Sequence, residues 1–388
     1  MPKHLLALAL GTLSLGIAEF AMMSILSNVA ESLAVSIPEA GHFISAYALG
    51  VCAGVAVMVV AARGSALSRM LFILAALIFA GNLFAALAFD YWSMLAARFI
   101  AGLPHGAYFG AGAIVTTQLA GPGRASRDVC LMVTGMTIAN LIGVPLGSFL
   151  AWSLSWRATF AVVAATALLL MLALKLWMPH VPPLPNNGFR AQFRFLGHLT
   201  PWLVLGAIGL GNGGFFACYS YVNPIMEAVA GVPASLMSAV IALAGFGMVA
   251  GNLFSAKLAG RFSDQALACG GQCVLFLSLI GLFLLAPVMP VAVMLTTLAA
   301  GCVFFISGPE QVMILTNAKE GQLLAAALGQ TAFNFGNAVG AWLGGLPIDA
   351  GKSAEWSALP GCALAFTGFL LLAFAWYIHF ERTRERGS

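Results

Sequence analysis

Gly135-Met-Thr-Ile-Ala-Asn140-Leu-Ile-Gly143-Val-Pro145-Leu-Gly147 carries no charge and places small residues four apart. Moved on by 197 residues, it meets Ala332-Phe-Asn334-Phe-Gly336-Asn337-Ala-Val-Gly340-Ala-Trp-Leu-Gly344. Asn140, Gly143 and Gly147 then fall on Asn337, Gly340 and Gly344. The same offset carries Gly16 onto Gly213, and Gly50 and Gly54 onto Gly247 and Gly251. So long a repeat exceeds any solenoid unit and points to duplication of a half-protein in one orientation. In an apolar chain, two parallel halves are a pattern of secondary transporters.

The apolar character is extreme. Hydrophobic residues make up 61% of the 388 and charged residues 8%, and the mean hydropathy is +0.98. Soluble domains carry about a quarter charged residues, so the solvent for this chain is lipid. One crossing needs about 20 mostly apolar residues. Twelve such runs are read, near 5–28, 41–62, 70–89, 92–117, 129–151, 157–178, 201–226, 235–257, 266–286, 290–315, 322–346 and 356–379. The expected fold is all-α and integral to a membrane, with twelve transmembrane helices in two pseudo-symmetric six-helix bundles. The bundles span 1–178 and 201–388. Between them lies a connector, 179–200, where Pro182, Pro183, Pro185 and Gly188 forbid a continuous helix. Arg190, Arg194 and Phe189, Phe193 and Phe195 suit either a short surface helix or a solvated linker.

Basic residues set the expected orientation. With both termini cytoplasmic, 14 of the 17 Lys and Arg lie on the inner side. The net charge of +4 is mostly this bias and offers no reason to invoke nucleic acid. The N-terminus reads as a first span rather than a cleaved signal. The seven cysteines, with no histidine pattern beside them, read as small apolar fillers, without metal or disulfide. No phosphate-binding Gly-rich loop with lysine, nucleophile elbow or zinc spacing is present, so neither an ATP-driven pump nor an enzyme is expected, and no cofactor.

The stretch at 135–147 resembles the fifth-helix antiporter motif of the major facilitator superfamily. Ser155-Trp156-Arg157-Ala158-Thr159-Phe160 resembles its sixth-helix start. Arg98-Phe-Ile-Ala-Gly102-Leu-Pro-His105-Gly106 resembles its fourth-helix motif. Leu15-Gly16-Ile-Ala-Glu19-Phe20 is similar to the first helix of the twelve-span drug/proton antiporters, nearest the bacterial sugar-efflux, arabinose-efflux-permease-like branch. That resemblance implies a bacterial inner-membrane protein exporting a small organic solute against protons by alternating access. A sugar or sugar-like solute is preferred, and a multidrug exporter of lipophilic compounds is the alternative. Lipid, protons and a small molecule are its partners, and a monomer is expected. One departure is clear. Ala61-Ala-Arg63-Gly64-Ser65-Ala-Leu-Ser68-Arg69 lacks the aspartate of the family's loop pattern, whereas Gly260-Arg261-Phe262-Ser263-Asp264 has one.

Charges at bilayer depth are costly and usually functional. Glu19 lies about 21 Å along a helix from Leu5, and Arg98 about 9 Å from Trp92. In a core about 30 Å thick both sit nearer the outside, so a Glu19–Arg98 pair is geometrically open. Glu19 is the expected proton carrier and Arg98 its electrostatic partner. His105, two turns after Arg98, is either a relay or a histidine bonded to backbone. Glu310 and Glu227 read as interfacial. Neutral groups suited to a solute surface are Met22, Met23, Tyr108, Met136 and Asn140 in the first half. In the second they are Asn212, Phe215, Phe216, Tyr219, Tyr221, Gln330, Asn334 and Asn337. Small residues let helices approach in lipid. Gly50, Gly54, Gly143, Gly147, Gly247, Gly251, Gly340 and Gly344, with Pro145, therefore read as packing points, either static or sliding.

Overall fold

The computed structural model describes residues 2–61, 66–120, 125–182, 194–259, 261–318 and 322–387. The sequence turns into helix wherever it stays apolar, because hydrocarbon offers no partner for an unpaired backbone group. The first half holds α1 (Lys3–Ser24), α2 (Leu26–Leu33), α3 (Ile37–Ala61), α4 (Leu67–Leu87), α5 (Tyr91–Gly102), α6 (Pro104–Leu119), α7 (Ala125–Ile138), α8 (Val144–Ser153) and α9 (Trp156–Trp177). The second holds α10 (Leu199–Gly206), α11 (Asn212–Tyr219), α12 (Met237–Leu258), α13 (Asp264–Leu285), α14 (Met289–Asn317), α15 (Gln322–Asp349) and α16 (Ala358–Gly387). Nine helical segments among the described residues are long and apolar enough to cross a membrane. Their outward faces carry large apolar side chains such as Phe246, Leu253 and Leu277. A water-exposed surface rarely shows apolar area on this scale.

Several expected spans are not single regular helices. The run 92–117 divides at Leu103, because Pro104 supplies no N–H and sits at the first position of α6. The run 5–28 stops at Ser24, and Leu26–Leu33 forms its own helix. In 129–151 a π segment, Ala139–Gly143, joins α7 to α8 just before Pro145. In 201–226 a second π segment, Ala207–Gly211, precedes α11, and a third, Ile225–Val229, follows Pro224. Such bulges release backbone groups, and neighbouring side chains must satisfy them. Gln272 does so: its Nε2 donates to the carbonyls of Gly211 and Ala365, each at 3.1 Å.

Packing divides the chain into two compact units. One is Met1–Asn187 with Pro233–Ala242; the other is Gly188–Val232 with Leu243–Ser388. In the first, α1 lies on α7 and α9, and α5 on α3 and α4. Its core gathers Leu5, Leu8, Leu71, Tyr108, Val115 and Leu170. In the second, α13 packs on α14 and α16, and α11 on α15 and α16. Of the connector 179–200, residues 183–193 lie outside the description, and Arg194–Gly197 is a single 3-10 turn. Arg63, Gly64 and Ser65, from the departing loop, and Gly260, from its second-half counterpart, also lie outside it.

The duplicated glycines make matched contacts. A Cβ on Gly50 or Gly54 would collide with the carbonyls of Phe99 and Leu103. One on Gly247 or Gly251 would collide with those of Thr297 and Gly301. Likewise Gly143 meets Ile17 on α1, while Gly340 and Gly344 meet the carbonyls of Gly213 and Ala217 on α11. Gly147 faces Thr159, whose hydroxyl donates to the Gly147 carbonyl at 2.8 Å. In each case the crowding neighbour belongs to the same unit, so these glycines hold helices together inside each half.

The sixth-helix motif has a local reason. Ser155 caps α9, accepting from Arg157 N–H at 3.3 Å. The Arg157 guanidinium stacks on Trp156 and donates to the Ala88 carbonyl at 2.9 Å, closing the end of α4.

Candidate functional site

Four buried polar residues meet inside the first unit, each from a different helix. Glu19 comes from α1, Tyr47 from α3, Arg98 from α5 and His105 from α6. All are at most 1% exposed. His105 Nε2 lies 3.7 Å from Glu19 Oε2. Its other nitrogen, Nδ1, lies 2.8 Å from Tyr47 Oη. The Arg98 guanidinium carbon sits 4.4 Å over the Tyr47 ring and 5.5 Å from the Phe160 ring. The residues form a continuous line, Glu19–His105–Tyr47–Arg98.

Each position has a local cause. Arg98 and His105 lie seven residues apart and both reach Tyr47, so the break at Leu103 keeps them on one face. Gly50 and Gly54 let α3 close onto α5, which brings Tyr47 to that face. Phe109 stacks on the His105 ring, with centroids 5.2 Å apart, and fixes its plane.

The chemistry follows from the donors. If Tyr47 donates to His105 Nδ1, the ring hydrogen sits on Nε2 and faces Glu19. If Tyr47 donates instead to the Leu15 carbonyl, 3.5 Å away, His105 Nδ1 carries the hydrogen. A small rearrangement of Tyr47 therefore changes what Glu19 meets. Arg98 is enclosed by aromatic faces, and none of its three nitrogens has a hydrogen-bond partner among the described residues. Glu19 faces the His105 ring, and Arg98 lies over the Tyr47 ring.

Tyr47 was not singled out from the sequence. A lone tyrosine within an apolar run gives no signal there; its role arises from α3 folding against α5 and α6.

The other expected site residues are mostly buried. Met22 and Met23 are buried on α1, and Met136 packs its sulfur near Gly16. Several polar groups are spent on backbone. Tyr108 Oη donates to the Leu8 carbonyl at 3.4 Å and Tyr221 Oη to that of Ala341 at 2.7 Å. Asn140 and Asn334 donate to carbonyls one turn back, Met136 at 3.2 Å and Gln330 at 3.0 Å. In the second unit Phe215 stacks on Tyr219, and Phe216 meets Phe333 edge-on at 5.2 Å. Phe215 and Tyr219 also line a small groove with Leu279, Leu282 and Thr296. Asn337 is buried, and neither end of its amide has a partner among the described residues. Gln330 is half-buried.

Glu310, read as interfacial, is enclosed by its own unit. It is 2% exposed, and Asn212 Nδ2 donates to its Oε2 at 3.0 Å. Its hydropathy reads deep while its position lies near the inner end of the tenth span; α14 runs on to Asn317 and Glu310 is buried within it. Glu227 is half-buried.

The model for the Major Facilitator Superfamily matches residues 8–340. The chain belongs to the major facilitator superfamily. AraJ of Escherichia coli (strain K12), named as a transporter, is 39% identical over 366 residues, covering 94% of this chain and 93% of AraJ. A Helicobacter pylori (strain P12) protein named for sugar efflux is 25% identical, covering 94% of this chain and 93% of its own. The crystal structure of a D-xylose–proton symporter matches with a TM-score of 0.77 at 18% identity, covering 96% and 97% of the two chains. That likeness shows the fold. The major facilitator protein described here is therefore a multi-pass membrane transporter for small molecules, and not an enzyme.

Proposed function

We propose that the chain exports a sugar or sugar-like solute in exchange for protons, by alternating access across the bacterial inner membrane. The supporting observation is the buried line Glu19–His105–Tyr47–Arg98. A carboxyl in hydrocarbon is costly when charged, and a buried guanidinium nearby offsets part of that cost. Glu19 takes and gives the proton, His105 and Tyr47 set its surroundings, and Arg98 supplies the fixed positive charge. Efflux rests on the likeness to the Helicobacter pylori protein. Twelve spans, cytoplasmic termini and a monomer complete the reading; the excess of basic residues on one side supports the orientation.

The test is proton movement in sealed proteoliposomes loaded with a pH-sensitive dye. Pentoses, hexoses and lipophilic drugs are added in turn to the parent and to Glu19→Gln. Sugar-triggered proton movement lost in the variant supports the reading. Response to many unrelated lipophilic compounds turns it to multidrug export. Solute movement without protons, or full coupling in the variant, removes Glu19 from its role.

A further inference from the structure

The second unit holds a carboxyl that the first-half line does not involve. Glu310 lies on α14, seven residues before the helix ends at Asn317 and directly after Pro309. Its one hydrogen-bonding partner among the described residues is Asn212, and Oε1 has none.

Among the described residues, the elements packed around it offer no cation to hold it as a carboxylate. The elements packed on α14 are α10, α11, α13, α15 and Ile225–Val229. Their titratable groups are Asp264, Cys269 and Cys273 on α13, Asp349 on α15, Cys218 and Tyr219 on α11, and Glu227. None of these elements contains Lys, Arg or His. α12, which meets α14 through Gly247 and Gly251, carries Lys257, whose side chain is exposed. α14 itself adds Cys302. A charge here would be met by one amide N–H among the described residues, which is the costly case for burial. The neutral acid fits, with Oε2 accepting from Asn212.

The donor sits where the backbone is irregular. Asn212 is the first residue after the π segment Ala207–Gly211, and the helix breaks again at Ser220–Tyr221. Gln272 pins the Gly211 carbonyl just before it. A shift of this short α11 changes the one polar contact that Glu310 has. Its charge and the position of α11 are therefore linked.

We propose that Glu310 is a second proton-exchanging group, in the C-terminal half, that loads and unloads during the transport cycle. This rests on the proton-coupled reading above. Glu19 and Glu310 then give two proton sites, one in each half.

The experiment compares full-length parent, Glu310→Gln and Glu310→Asp in proteoliposomes, using the sugar that triggers proton movement in the parent. The proton-to-solute ratio is expected to fall about twofold in Glu310→Gln and to recover in Glu310→Asp. An unchanged ratio in Glu310→Gln overturns the second site and leaves Glu19 standing. If the parent moves no protons with any sugar, the coupled reading fails, and infrared titration of the detergent-purified protein tests the site alone. A carboxylic C=O band that titrates in the parent and is missing from Glu310→Gln keeps Glu310 as a titrating group; identical spectra remove it.

Discussion

Tyr47 Oη lies 2.8 Å from His105 Nδ1, so a residue on α3 fixes the ring that faces Glu19 from α6. Three helices are thereby tied to one imidazole, and the Arg98 guanidinium closes over the back of the tyrosine.

Tyr47→Phe keeps the ring under Arg98 and removes only the hydroxyl. Leaving a buried nitrogen without its partner costs about 1–3 kcal/mol. Proton-coupled transport is expected to fall by about tenfold or more for a loss of that size, with the protein still folded. Transport rate and thermal unfolding, measured side by side in detergent and liposomes, check this. Parent-like transport would separate Tyr47 from the mechanism.

Arg98→Lys retains charge and loses the planar stack on Tyr47 and Phe160. A desolvated cation–π contact is worth about 2 kcal/mol. The variant is expected to unfold at lower temperature, and the loss is expected to shrink when Phe160 is already Leu. A double-mutant cycle on thermal midpoints reads the coupling; additive losses would mean the Arg98–Phe160 contact contributes nothing.

Gly54→Val and Gly251→Val place a side chain onto the carbonyls of Leu103 and Gly301. Overpacking costs about 1–3 kcal/mol, and more where the obstacle is backbone that cannot turn aside. Both variants are expected to lose folded protein in detergent, by size-exclusion profile and thermal unfolding. Gly270→Ala, at a position with open space around it, is the control and is expected to behave as parent.

Gln272→Leu withdraws two N–H bonds, from the carbonyls of Gly211 and Ala365. The expected loss is about 1–3 kcal/mol for each buried acceptor left bare. Faster amide exchange confined to α10 and α11 would locate the damage at the π segment. Uniform exchange across the second unit would not fit this role.

Asp90 offers a pH-dependent test outside the spans. Ser93 N–H donates to Asp90 Oδ1 at 2.8 Å, and Asp90 N–H donates to Ser93 Oγ at 3.1 Å. The Ser93 side chain first, then its backbone, holds the Asp90 carboxyl below its ordinary value of 3.8. A depressed carboxyl contributes stability above that ordinary value and loses it as pH falls through the lower folded value. Amide exchange at the start of α5 is therefore expected to quicken below that point. In Asp90→Asn the acid step is expected to vanish.

The membrane, the helical class and the duplication were legible because each depends on many residues at once. Sixty-one per cent hydrophobic content leaves one solvent, and glycines repeated at a fixed offset survive averaging. Glu19, Arg98 and His105 stood out because ionisable groups are rare in apolar runs. Tyr47 and Gln272 did not, since a neutral polar residue in a span looks the same whether it faces lipid, a backbone or a histidine. The enclosure of Glu310 was not legible for a related reason: position along a span does not tell what packs over a side chain.

By itself, then, the sequence determined the solvent, the helices and the matched close-packing points, all of which follow from local composition and spacing. Tertiary structure alone decided who pairs with whom. It gave Glu19 to His105, set Tyr47 between His105 and Arg98, and buried Glu310 under Asn212. Those pairings span tens to nearly a hundred residues of chain, and only helix packing brings their ends within a few ångströms.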